Sequence, residues 1–509
     1  MLNITPALKL LAARRRAQLA RMDARAVQER TLLKLVGRAA ETRFGKDHSF
    51  AAIRSVSDFQ ARVPLRTWDA MWSDYFKASF PDYANVSWPE RTPYLALASG
   101  TTGARTKHVP VTEAMNRSNS RAGFDLLAHH FAAKPQSRLF DGKTFILGGS
   151  TKLEPEARGV WSGDLSGIAV KRMPFWARGY AFPKQEHALM ANWEEKAELM
   201  ARNSLNEKIR ALTGTPSWML ILLERVRALR DARGERGLAP YPDLQLLVHG
   251  GVNFAPYRAR FEKLFAGLGV DMREVYPASE GFIAAADRGY GEGLRLNLDH
   301  GLFFEFVPLE ELQSPHPRRH WVGNVETGIN YALVMSTCAG MWAYVIGDTV
   351  RFVETSPPRI LITGRTTYWL SAFGEHLMAE QIETGVADAS TAIGADVTDY
   401  SVSAVFPEDG KERCGHVYVT EFAGGVPDAA QLDVFARTLD AALRRIVNDY
   451  DYYRKDGRIV LPEIRPVPPG TFAAWMKSRG KLGGQNKVPR IINDQALWAN
   501  LIAFVNMAH

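Results

Sequence analysis

Apolar and polar positions alternate along this chain in two rhythms, one of about 3.6 residues and one of continuous short runs, and together they divide it into helical and extended stretches. Up to about residue 90 the apolar positions Leu8, Leu11, Leu19, Met22, Val27 and Leu32 space out as the stripe of a surface helix, with Ser57 placed to cap another. Tyr94 to Ala98 then reads as a strand, Thr112 to Phe131 as a helix, and residues 144–150 (TFILGGS) as a buried strand running into a glycine turn. Residues 188–233 read as helical, broken near Gly214-Thr215-Pro216. Residues 244–251 (LQLLVHGG), a helix from Pro256 to Leu268 and a short strand from Met272 to Tyr276 make a strand, helix, strand unit, the signature of a parallel crossover.

Strands follow closely at 302–308, 331–337, 341–347 and 359–364, forming a more β-rich lobe. From Glu375 onward the pattern is that of a smaller α+β unit: a helix, strands at 400–406 and 416–422, a long helix from Asp428 to Tyr453, a strand near Ile459 and a helix from Thr471 to Lys477. The predicted class is therefore α/β with more than one domain, which 509 residues amply allow.

Composition narrows the classes. With 46% hydrophobic and 23% charged residues the chain is globular, and no apolar run reaches the about 18 residues of a membrane helix. Arg14, Arg15 and Arg16 follow a short apolar run, unlike a secretory signal, while the acid-free first 22 residues leave an amphipathic targeting segment open beside the surface helix. Two cysteines, Cys338 and Cys414, exclude a disulfide framework and have no metal-site spacing, which fits the cytoplasm. A net charge of +8 favours anionic ligands. Lysine and arginine are dispersed and no base-reading motif is present, so nucleic acid is not the expected partner.

Four stretches carry candidate chemistry. After Ala98 come Ser99, Gly100, Thr101, Thr102 and Gly103, then Arg105 and Lys107. A glycine and hydroxyl loop leaving a strand gathers backbone N–H groups and short donors around one concavity, the shape of a polyphosphate site; an ordinary surface turn explains the same residues equally well. It is not a Walker loop, since no glycine stands directly before Lys107 with Ser or Thr after it. Residues 275–281 (VYPASEG) offer Tyr276 as a flat face for a base, Ser279, and Glu280 as a hard oxygen ligand, with His249-Gly250-Gly251 as the facing wall. Residues 344–348 (YVIGD) end in Asp348, whose carboxylate can accept two hydrogen bonds side by side, or form a Gly-Asp turn. Near the end, residues 481–490 (KLGGQNKVPR) place Lys487, with Lys481 second, on a glycine-rich segment; a solvated basic tail is the competing reading. Aromatic residues Trp161, Phe175, Trp176, Tyr180 and Phe182 suit either an acyl pocket or a core.

Taken in order, these stretches resemble the adenylate-forming enzymes, and the wider spacing from Gly103 to Lys107 with Val109, Pro110 and Thr112 resembles the Gretchen Hagen family of acyl acid amido synthetases. Residues 41–50 (ETRFGKDHSF) and the Gln-x-Lys-x-Pro-Arg ending are similar to that family as well, and residues 364–374 (GRTTYWLSAFG) resemble its hinge. The resemblance implies a firefly-luciferase-like fold: a large domain over 1–366, a hinge at 367–374 and a small mobile α+β domain over 375–509. It implies ATP and Mg²⁺, a carboxylic acid and an amine or amino acid as substrates, and amide formation through an acyl-adenylate. Transfer to coenzyme A or a carrier thiol is the nearest alternative, and a non-catalytic nucleotide-binding protein a more distant one. Ser99, Thr101, Thr102 and Lys107 would hold the phosphates, Glu280 the metal, Tyr276 the adenine, Asp348 the ribose, Arg365 the ribose or phosphate, and Lys487 the charge that develops at the reacting carboxylate. Val345 stands where the superfamily often has arginine, and the lysine that plant members carry shortly after the arginine of the hinge has no counterpart before Glu375.

Overall fold

The computed structural model describes residues 3–98, 106–148, 153–183, 193–251, 254–366, 369–370, 377–405, 415–455, 459–481 and 487–507. The chain forms two compact units, the first reaching Ile362 and the second made mainly of the residues from Thr363 onward.

The first unit is built on a mixed sheet of twelve strands. Its parallel half runs Ala181–Phe182, Lys143–Leu147, Ile209–Gly214, Leu246–Gly250 and Asp271–Ala278, each hydrogen-bonded to the next. At Asp271–Ala278 the direction changes, because the chain turns straight back into Gly281–Ala285 as an antiparallel hairpin. The antiparallel half continues through Leu294–Leu296, Pro358–Arg365, Tyr344–Thr355, Asn330–Thr337, Leu302–Pro308 and His320–Trp321. Every residue of Leu302–Pro308 is buried, as its almost wholly apolar sequence requires of a strand covered on both faces. The one charge in it, Glu305, is held bidentately by Arg319 at 2.9 and 2.8 Å. A second sheet of four strands includes Tyr94–Ala98 paired antiparallel with Lys107–Val111, so Ala98 and Lys107 face each other across the glycine-rich loop.

Helix Glu113–Ala133 starts at Thr112, whose hydroxyl accepts from Met115 N, and it buries Met115, Ser118, Ala122, Asp125, Leu126 and His129 on one face. The N-terminal stripe belongs to two helices rather than one. Asp23 caps the second, Ala24–Ala39, by accepting from Ala26 N at 3.0 Å, which ends Thr5–Ala20 ahead of it. Leu19, Val27 and Leu32 are buried as expected, whereas Leu11 is 49% exposed. Among the described residues no helix is long and apolar enough to cross a membrane.

The stretch 188–233 corrects the helical reading. Between helices Trp193–Ser204 and Pro216–Ala232 the chain inserts strand Ile209–Gly214 into the middle of the parallel half. Residues 341–347 are likewise not a strand of their own: Tyr344 begins the twelve-residue strand Tyr344–Thr355.

The second unit has a three-stranded sheet, Val397–Val405, Gly415–Phe422 and Glu463–Val467, backed by helices Ala379–Ile393 and Ala429–Ile446. The long helix expected from Asp428 to Tyr453 is interrupted at Val447, whose backbone is extended, and resumes as Asn448–Lys455. The strand expected near Ile459 lies at Glu463–Val467, and a terminal helix, Gln495–Met507, packs beside Thr471–Ser478. Of the segment 367–374 only Trp369–Leu370 is described, as a short strand paired with Leu377–Met378.

Candidate active site

Tyr276 and Glu280 stand where the large sheet changes direction. The hairpin from Asp271–Ala278 to Gly281–Ala285 closes through Ser279 and Glu280, and the next residue, Gly281, has a φ of 153°, open to glycine alone. Ser279 is half-buried and Glu280 is buried. Asp348 sits in an irregularity of the antiparallel pair Asn330–Thr337 and Tyr344–Thr355: Ala332 faces Thr349 while Val334 faces Val345, so Ile346, Gly347 and Asp348 bulge out of register. Gly347, at φ 98°, makes that bulge possible, and bulges of this kind re-aim side chains.

These features bring four predicted residues into one connected group. The Tyr276 hydroxyl donates to Asp348 Oδ2 at 2.5 Å. Lys107 Nζ donates to the Tyr344 hydroxyl at 3.2 Å and lies 5.9 Å from the centre of its ring. The buried Glu280 carboxyl is coupled to Lys107 and Asp348 through charge. Burial pushes that carboxyl above its usual range, the Lys107 ammonium pulls it back, and Asp348 adds to the rise. A desolvated carboxylate with a second one nearby is what a hard divalent cation stabilises, so the residues fit Mg²⁺. Glu280 is therefore not the solvated loop acid that its sequence also allowed.

His249 ends strand Leu246–Gly250 and is buried, stacked on Phe254 with ring centres 3.6 Å apart. Burial alone lowers it to about 3, which makes it a neutral wall at physiological pH. Gly250 meets its neighbour strand so closely that a Cβ would stand 2.4 Å from the Val275 carbonyl oxygen, and Gly251 follows at φ 85°. Ser99, Gly100, Thr101, Thr102 and Gly103 lie outside the described residues. Arg365 closes strand Pro358–Arg365 and is half-buried.

In the second unit, Lys487 is exposed at the start of a segment laced onto strand Val397–Val405. Val402 N donates to Arg490 O at 2.7 Å, Ile492 N to Val402 O at 2.8 Å, and Arg490 pairs with Asp399 at 2.6 Å. Lys481 is half-buried, its backbone N–H bonded to Met476 O.

Two other constellations look chemical and are structural. Asp125, Asp299 and His300 offer ligand atoms within 4.8 Å of one another, but the Arg15 guanidinium grips both carboxylates at 2.7–2.8 Å and takes a cation's place. Ser137, His130 and Asp271 line up at 2.9 and 2.8 Å like a hydrolase triad, yet Ser137 and His130 are 2% and 0% exposed, so no substrate reaches them. Cys338 is buried and its thiol is pushed up to about 12, which removes it as a nucleophile. Of the aromatic residues proposed for an acyl pocket, Tyr180 and Phe182 are core, packed edge-on against Phe140 and Phe145. Trp161 is half-buried beneath Lys171, and the Phe175 and Trp176 side chains lie outside the described residues. Tyr344 is the group member that the sequence left unassigned, although it is the first letter of the motif that yielded Asp348.

The GH3 family N-terminal domain matches residues 13–163 and 137–270, its central domain 296–365 and its C-terminal domain 380–496. The chain belongs to the GH3 family. Among GH3 relatives it is 30% identical over 211 residues to the indole-3-acetic acid-amido synthetase GH3.8 of Oryza sativa subsp. indica, a match covering 37% of this chain and 33% of that one. It is 27% identical over 207 residues to the jasmonoyl-L-amino acid synthetase GH3.5 of Oryza sativa subsp. japonica, covering 38% and 35%. The chain thus spans about a third of the length of the curated relatives it matches. Its fold superposes on the AtGH3.15 acyl acid amido synthetase in complex with 2,4-DB with a TM-score of 0.81 at 16% identity, covering 99% of this chain and 98% of that one. Against 2-hydroxyisobutyryl-CoA ligase in complex with 2-HIB-AMP the TM-score is 0.60 at 15% identity, covering 95% and 92%. These likenesses establish the α/β fold shared with adenylate-forming ligases.

Proposed function

We propose that this chain is an ATP- and Mg²⁺-dependent ligase that activates a carboxylic acid as its acyl-adenylate and passes the acyl group to an amine, an amino acid, with release of pyrophosphate and AMP. The observation that carries this reading is the connected group Lys107, Tyr344, Glu280, Asp348 and Tyr276, in a member of a family whose named relatives are amido synthetases.

The acid and the α-phosphate are both anions, so their charge must be offset before the carboxylate oxygen attacks phosphorus. Lys107 is assigned the departing phosphates, together with Ser99, Thr101 and Thr102. Glu280 would hold Mg²⁺, which supplies charge neutralisation on the phosphate oxygens when bound. Tyr276, with His249, Gly250 and Gly251 opposite, is assigned the adenine, Asp348 the ribose, and Arg365 a ribose or phosphate contact. Lys487, on its tethered segment in the second unit, is assigned the charge that develops during adenylation, with residues 367–374 as the hinge. In the second half-reaction the amine attacks the activated carbonyl and AMP leaves, which needs no side-chain nucleophile. The cytoplasm is the assigned compartment.

Glu280→Gln tests the reading: ATP–pyrophosphate exchange is expected to fall by at least roughly 100-fold with the fold intact, and undiminished exchange removes Glu280 from the metal. Transfer to a thiol is favoured only by the fold shared with 2-hydroxyisobutyryl-CoA ligase. Offering amines and thiols side by side and identifying the product separates the two. Bound ATP without pyrophosphate release would instead leave a nucleotide-binding protein.

A further inference from the structure

We infer that Arg490 is a positioning residue for Lys487, its ion pair with Asp399 fixing the register in which the segment carrying the lysine lies along strand Val397–Val405. The inference rests on the role proposed for Lys487 in adenylation, and every residue it uses belongs to the second unit.

The segment is held to the strand by bonds that do not depend on which residue makes them. Val402 N donates to Arg490 O at 2.7 Å, Ile492 N to Val402 O at 2.8 Å, and the Ser401 hydroxyl to Pro489 O at 2.7 Å. Val402 and Ile491 form a parallel bridge. Apolar packing distinguishes the registers only in part. Ile491 is buried in the core around Tyr400 and Tyr418, and Ile492 in the core around Trp475 and Trp498. Because the two neighbours are both isoleucine, a slip of one residue still leaves an isoleucine in one of the two places. The ion pair does tell the registers apart. Arg490 Nη1 donates to Asp399 Oδ1 at 2.6 Å, and the guanidinium lies 4.5 Å from the centre of the Tyr400 ring. The two side chains are only 18% and 22% exposed, so water screens the pair little. Lys487 stands three residues before Arg490, a stretch that spans at most about 11 Å, so its starting point is set by this anchor. On the far side the chain is tied again, Lys481 N to Met476 O at 2.8 Å. A one-residue slip would carry Lys487 about 3.3 Å along the strand and turn its side chain to the opposite face. Displacements of about 1 Å already cost a reaction up to about 100-fold.

The test follows adenylation as acid-dependent pyrophosphate release by the full chain, with acetate, benzoate and phenylacetate as probe acids. Arg490→Gln and Asp399→Asn are each expected to lower kcat for adenylation about tenfold or more, to leave KM for ATP within about twofold, and to spare amide formation from a supplied acyl-adenylate. Together they are expected to cost no more than either alone, because both break one bond. In a Lys487→Ala background, Arg490→Gln is expected to cost less than about twofold, since the pair acts through the lysine. A merely structural pair would slow that background as much as the unaltered chain, and this result would overturn the inference. Adenylation by Arg490→Gln within about twofold of the unaltered chain would do the same. A second readout needs no substrate. Asp399→Asn is expected to speed tryptic cleavage after Lys487 about tenfold, the effect of losing a hydrogen bond to a charged group on the population of released segment, and an unchanged rate would count against the inference. Undiminished adenylation in Lys487→Ala would strike the role proposed for the lysine, whereas a loss there without one in Arg490→Gln would strike the positioning alone. Release of pyrophosphate from none of the probe acids by the unaltered chain would strike the proposed function first, and the inference with it.

Discussion

Glu274 gives the sharpest physical prediction. It lies two residues before Tyr276 on strand Asp271–Ala278, so both side chains share one face of the sheet, and it stands across the parallel pair from the neutral His249. Burial, unopposed by any nearby charge, pushes its carboxyl up to about 7 from the ordinary 4.5. Below pH 4.5 the group is protonated in folded and unfolded chains alike and the protein has its full stability. As pH rises from 4.5 to about 7, the unfolded chain releases this proton before the folded one does, so stability falls, and above about 7 the loss is constant. At 1.36 kcal/mol per pH unit the whole span amounts to about 3 kcal/mol, and the partial exposure of the side chain reduces this to about 2 kcal/mol. Glu274→Gln removes the ionisation and keeps the shape. It should therefore raise the melting temperature by roughly 2–5 °C at pH 8.5 and change it little at pH 5. Thermal unfolding followed by circular dichroism at both pH values measures this. An equal gain at both, or none at pH 8.5, would refute the idea that Glu274 holds its proton in the folded state.

Two further outcomes follow from geometry already described. Lys487→Ala should slow adenylation far more than the consumption of a supplied acyl-adenylate, measured as pyrophosphate release and amide formation in separate assays; equal losses would argue against its assigned role. Gly250→Ala should destabilise the first unit by about 2–4 kcal/mol, because its Cβ would meet the Val275 carbonyl oxygen at 2.4 Å. A melting temperature matching that of the unaltered chain would mean that the two strands can part at no cost.

How far the sequence foretold the fold depended on whether local pattern or distant contact decided each element. Strand Leu302–Pro308 was legible because seven successive buried positions leave a long apolar run, and helix Glu113–Ala133 because Thr112 marks its start. Strand Ile209–Gly214 was not. Its apolar content is short and its Arg210 faces Asp141, so nothing local separates it from the helices on either side. The break at Val447 and the displaced strand Glu463–Val467 are tertiary choices of the same kind. In the site, Lys107, Tyr276, Glu280 and Asp348 were legible as motif letters. The bonds from Lys107 to Tyr344 and from Tyr276 to Asp348 were not, because each joins residues far apart in sequence that only the folded chain brings together.

The Arg15 clamp bears on how the chain emerges from the ribosome. Asp299 lies 284 residues after Arg15, and at roughly 5–20 residues per second the guanidinium waits about 15–60 s for its second carboxylate to be made. Gln28 waits as long for the Leu298 and Leu302 carbonyls that its amide binds. The helices Thr5–Ala20 and Ala24–Ala39 therefore stand packed on their nearer neighbours well before these polar ties to residues 298–302 can close.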